Sequence, residues 1–110
     1  MASSFISKQK SGITSTDNTI YTAPTGKVGV MFSGIFSNKT NTDTSYLTLV
    51  LKNPSTNITT YILNNVPLMF GSSLEIPKIV VVAGSQLIAK VDTITSGKVD
   101  LTLNILEKDV

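Results

Sequence analysis

The chain has 110 residues, with no Cys, His, Trp or Arg, and its nine Lys outnumber its seven carboxylates by only two. That length holds one domain. The missing residue types exclude a disulfide scaffold, a thiolate metal site, a cysteine nucleophile and any His-based triad, and a formal charge of +2 without Arg gives little footing for nucleic acid.

Residues 1–17 read as a polar N-terminal arm rich in Ser, Thr and Lys, with Phe5, Ile6 and Ile13 as apolar footholds. Such an arm either stays loose or orders on a neighbour. Its first residues hold no apolar stretch long enough for a secretory signal, so production and use without secretion are expected. Residues 18–110 read as one β domain. The first strand, residues 18–23, stops at Pro24, which has no N–H to donate, and Thr25-Gly26 makes a turn. In the next strand Val28, Val30, Phe32 and Phe36 are expected on one face, the core face, with Met31 and Ile35 on the other. Apolar residues on both faces mark a central strand, or one whose outer face meets a partner.

Residues 38–44 form a polar loop. Leu47, Leu49 and Leu51 then alternate with Tyr46, Thr48, Val50 and Lys52, the period of a half-buried strand. After a turn at residues 53–57, residues 58–63 return as the second arm of a hairpin, which Asn64-Asn65-Val66-Pro67 is expected to break. Further strands follow over residues 68–76, interrupted at Gly71-Ser72-Ser73, then over 79–83 and 87–91. In the last strand Val99, Leu101, Leu103 and Ile105 alternate with Lys98, Asp100, Thr102 and Asn104. No helical period appears. The longest apolar run, residues 79–83, is far short of the ~20 residues of a membrane-spanning helix, so no membrane partner is expected. Short strands at intervals of about ten residues predict an all-β fold, a single antiparallel β-sandwich of jelly-roll or immunoglobulin-like kind.

Candidate chemistry is thin. Ser7-Lys8-Gln9-Lys10 has the S-x-x-K spacing of some acyl-transfer enzymes but lies in the polar arm. Asp92 and Asp100 flank a turn and could approach as a carboxylate pair, although solvated charges on the outside of a hairpin have the same pattern. No catalytic residue, metal site or cofactor is assigned, and an enzyme is not expected. What remains is binding by surface. Met31 and Ile35 lie opposite the expected core face, Leu68-Met69-Phe70 is an apolar triplet where a core strand would alternate, and the arm carries Phe5 and Ile6. Together these residues predict an apolar surface covered by another subunit. A carbohydrate site is less favoured, because Tyr21, Tyr46 and Tyr61 all fall within expected strands.

The order of elements resembles small virion structural proteins of tailed bacteriophages. The resemblance rests on Asp17-Asn18-Thr19-Ile20-Tyr21-Thr22-Ala23-Pro24-Thr25-Gly26, on Phe32-Ser33-Gly34-Ile35-Phe36-Ser37-Asn38-Lys39-Thr40, and on Thr59-Thr60-Tyr61. It continues through Pro67-Leu68-Met69-Phe70-Gly71-Ser72-Ser73-Leu74 and Val81-Val82-Ala83-Gly84-Ser85-Gln86-Leu87, where Ser85 stands in place of the usual Asp. It implies a non-enzymatic component of the particle, foremost a capsid decoration or cement protein. Such a protein binds the outer surface of the head, often as a homotrimer, with the major capsid protein and other virion proteins as partners, and assembles in the host cytoplasm. Neck, tail or fibre accessory roles are implied as alternatives.

Overall fold

The computed structural model describes residues 3–110. Among the described residues nine strands form two antiparallel sheets: β1 (Ser3–Lys10), β2 (Asn18–Thr22), β3 (Lys27–Asn38), β4 (Ser45–Asn53), β5 (Ile58–Leu68), β6 (Ser73–Ile76), β7 (Ile79–Val81), β8 (Gln86–Lys90) and β9 (Val99–Asp109). One sheet runs β1-β9-β3-β6, with β7 also on β3; the other runs β2-β8-β4-β5. Strands β6 and β7 pair with successive stretches of β3, Ser73–Ile76 with residues 34–37 and Ile79–Val81 with residues 29–31. They therefore act as one strand interrupted at Pro77, which has no N–H for the ladder. Taken so, the eight strands have the order of a jelly roll, which resolves the choice between jelly-roll and immunoglobulin-like topology.

The core lies between the sheets. Leu47, Leu49, Leu87 and Ala89 of one sheet meet Met31, Phe36, Leu101, Leu103 and Ile105 of the other. The alternation expected in β9 is observed, with Val99, Leu101, Leu103 and Ile105 all buried. Gly34 faces this core because nothing larger fits: a Cβ there would lie 2.9 Å from Leu103 Cδ2.

Three expectations are corrected. Residues 3–10 of the supposed arm are an edge strand of the sandwich, paired with β9 from Ser3↔Lys108 to Lys10↔Leu101. Ile13 is buried in the core, its N–H donating to the Val99 carbonyl at 2.7 Å and its carbonyl accepting from Gly97 N at 2.8 Å. No local pattern could signal this, because the partner strand is nearly the whole chain away. Second, residues 64–67 do not end β5. The strand continues to Leu68, absorbing irregularities of register against β4 with Asn65 at φ 56°, and Pro67 is tolerated because β5 is an edge strand. Third, the faces of β3 change partway. Met31 pairs with Ile105 and Ser33 with the adjacent Asn104, so Phe32 is an extra residue, a β-bulge. Gly29 and Met31 point inward before it and Gly34, Phe36 and Asn38 after it, while Phe32 points out.

Candidate protein interface

The register places four apolar residues in one row across the outer face of the five-stranded sheet. Phe5 pairs with Leu106, Leu106 with Val30, and Val30 with Val80. The bulge adds Phe32 to this row. Its ring meets that of Phe5 edge to face, with centroids 5.9 Å apart and planes at 87°, the geometry favoured by the aromatic quadrupole. Phe5 is 76% exposed and Phe32 48%. An aromatic pair and three aliphatic residues thus form a stripe on the solvent side of a sheet whose other side is closed over the core.

The expected interface residues divide accordingly. Phe5 belongs to the stripe. Ile6, the next residue, faces the other way and packs against the core. Met31 is 0% exposed and Leu68 6%, so neither is a surface residue of this chain; the bulge turns Met31 inward, and Leu68 is the last, inward-facing residue of β5. Ile35 is exposed on the outer face, but in a different row, with Thr102 and Glu75. A polar row lies between, in which Asn104 Nδ2 donates to Ser33 Oγ at 2.9 Å. Met69 and Phe70 are exposed in the turn between β5 and β6. That turn is tied to the Asn38 end of β3, where Gly71 N donates to the Asn38 carbonyl at 2.9 Å; Phe32 lies at the middle of β3 instead, with Phe5 of β1 against it. Val30, Phe32, Val80 and Leu106 were not foreseen as surface residues. The available signal was that no single alternation through β3 buries both Met31 and Phe36.

The acyl-transfer spacing has no geometric basis. In a strand, residues three apart face opposite ways: Ser7 pairs with outward Asn104 and Lys10 with inward Leu101. Asp92 and Asp100 do not form a pair either. Asp92 accepts from the Thr95 hydroxyl and from Tyr46 N at 3.2 Å. Its partial burial pushes its pKa up, but these hydrogen bonds outweigh the burial and hold it below the ordinary value. Asp100 accepts from Lys39 Nζ at 2.9 Å and from Gly12 N at 2.9 Å; the Lys39 ammonium is the main cause of its lowered pKa, against a smaller opposing effect of burial. Both carboxylates fasten loops. Among the described residues, no buried side-chain nitrogen or oxygen lacks a hydrogen-bond partner.

Two solved structures share the fold. A chain from the disulfide-linked pili formed by Bacillus endospore appendages superposes with a TM-score of 0.60 at 14% identity, over 99% of this chain and 88% of that one. A chain of the T13 IBDV viral particle superposes with a TM-score of 0.61 at 12% identity, over 96% of this chain but only 30% of its own length. No family model matches the sequence, and no curated protein matches it.

Proposed function

We propose that this chain is a non-enzymatic structural component of an assembled particle, and that the particle is the virion of a tailed bacteriophage. There it binds the outer surface of the head as a decoration or cement protein, touching several copies of the major capsid protein. The observation that carries this reading is the uncovered stripe of Phe5, Leu106, Val30, Val80 and Phe32 on a stiff sandwich. Exposed apolar surface of this kind marks an interaction site. The order of sequence elements adds the phage assignment, and the shared fold with chains of a pilus and a viral particle is in keeping with a building-block role.

The mechanism is mass action. A protein that binds the assembled shell but not separate subunits stabilises the shell by an amount that grows with the logarithm of its free concentration over its dissociation constant. Contacts repeated by the symmetry of the shell add through multivalency, and a homotrimer at a symmetric joint is the arrangement proposed here. With no Cys, none of its contacts is a disulfide, unlike those of a disulfide-linked pilus. Phe5 contributes from a paired strand, and Met69 and Phe70 form a second, smaller contact at the end of the sandwich.

The test is copy number per purified virion, by quantitative mass spectrometry against the major capsid protein. A number that scales with the capsid protein is expected. A number of roughly one symmetric ring, ~3, 6 or 12 copies, moves the protein to the neck, tail or fibres; absence from the particle overturns the proposal.

A further inference from the structure

The opposite face of the sandwich carries a cavity of about 160 Å³, lined by Asp17, Thr48, Val50, Lys52, Thr59, Tyr61, Ile88 and Lys90. Three rows of the four-stranded sheet build it. Ile88, Val50 and Tyr61 form the middle row, Lys52 and Thr59 lie on one side, and Lys90 and Thr48 on the other. Asp17 enters from the residue before β2, whose first residue pairs with Ala89, next to Lys90.

The position of Tyr61 is the informative detail. Leu63 pairs with inward Leu49, and by simple alternation Tyr61 would also point inward. The register instead slips between these pairs, so that Tyr61 faces outward Val50, and Ile62 is the extra residue. A β-bulge that re-aims a side chain is a device found beside binding sites. Here it leaves Tyr61 59% exposed on the wall, while Ile88 in the same row is 8% exposed. The polar groups are unspent: the side chains of Asp17, Lys52, Thr59, Tyr61 and Lys90 bond to no other described residue.

We infer that this cavity binds a single carboxylated sugar residue of a glycan. Its volume is well under the ~300 Å³ at which pockets for drug-sized ligands begin, so it takes one small unit. A sugar ring has an apolar C–H face that suits Tyr61, Val50 and Ile88, and a rim of hydroxyls that suits Asp17, Thr48 and Thr59 as hydrogen-bond partners. Two ammonium groups against one carboxylate leave the rim net positive, which selects a sugar acid over a neutral sugar. The site faces away from the apolar stripe, so it stands or falls independently of the shell-binding role.

The experiment follows amide chemical shifts of the isotope-labelled full chain during titration with glucuronic acid, N-acetylneuraminic acid, glucose and a short Asp/Glu-rich peptide. Saturable shifts confined to Asp17 and its neighbours and to residues 48–52, 59–61 and 88–90 are expected with the two sugar acids, weakening as salt is raised. Tyr61→Ala should lower affinity by about fivefold or more, while Tyr61→Phe, which keeps the ring, stays within about twofold. Lys90→Gln should weaken the acids and leave glucose unaffected. Absence of saturable shifts with either acid, shifts elsewhere on the chain, or glucose binding as well as the acids each overturns the inference. Tighter binding of the acidic peptide also overturns it, in favour of a protein ligand.

Discussion

The phenol of Tyr21 donates a 2.7 Å hydrogen bond to Glu107 Oε2, joining β2 of one sheet to β9 of the other. Burial is the main cause that raises the Tyr21 pKa, and the Glu107 carboxylate raises it further, so the donor keeps its proton through the ordinary tyrosine titration range. The phenol also lies over Gly29, where a Cβ would fall 2.5 Å from the Tyr21 oxygen. Tyr21→Phe should therefore cost about 1.5–3 kcal/mol, as a half-buried bond to a charged acceptor is lost. Gly29→Ala should cost about 1–3 kcal/mol through overpacking. Because the two share one space, the double variant should lose less than the sum, as read from urea denaturation of all three.

Asn38, at the inner end of β3, closes the sandwich with its side chain. Its Nδ2 donates to the carbonyls of Leu68 at 2.9 Å and Asp43 at 3.0 Å, and its Oδ1 accepts from the amide of Thr40 at 3.0 Å and the Thr40 hydroxyl at 2.9 Å. Asn38→Ala strands these buried groups and should cost about 2–4 kcal/mol. Asn38→Asp replaces the two donors by an acceptor facing carbonyls and should be worse. Thermal unfolding of the two variants tests the order.

Asp92 and Asp100 have depressed pKa values in the folded chain. Their stabilisation is present above the unfolded aspartate value of about 4 and is lost as pH falls through the lower folded values. The melting temperature should thus drop as pH is lowered from about 5 toward 2. Asp100→Asn, which also loses the Lys39 ion pair, should melt lower near neutral pH and respond less to acid, a comparison made by calorimetry across that range.

Phe32 and Met31 are adjacent but should respond in opposite ways. Phe32→Ser removes half of a half-exposed aromatic pair, and unfolding stability should fall by about 1–2 kcal/mol while occupancy on purified particles drops. Met31→Ala, at a fully buried site, should cost about 2–5 kcal/mol. Denaturation midpoints and copy number measured on the same preparations separate the two effects.

The sequence was legible where one strand kept one alternation. Strand β9, and the Leu47-Leu49-Leu51 run of β4, have the faces their pattern predicts. It was misleading at the bulges. A single extra residue reverses every later side chain, which is why alternation alone places Met31 outside and Phe32 inside, and why it does not show where Tyr61 points. It was silent on pairing across the chain. Nothing near Phe5 announces that its neighbour is Leu106, and so the stripe could not be drawn before the register was known.

The pairing of β1 with β9 also sets the order of events during synthesis. Strand β1 is made first, and its neighbour in the sheet, residues 99–109, emerges only after every other strand. Until then its backbone N–H and C=O groups have only water or another chain to pair with. Lys8 and Lys10, which share the inward side with Ile6, place charge on the waiting strand and discourage pairing with stray strands. Closure of this sheet is therefore a late, long-range step that waits for β9, and slow folding is the cost of joining the first and last of these strands in one ladder.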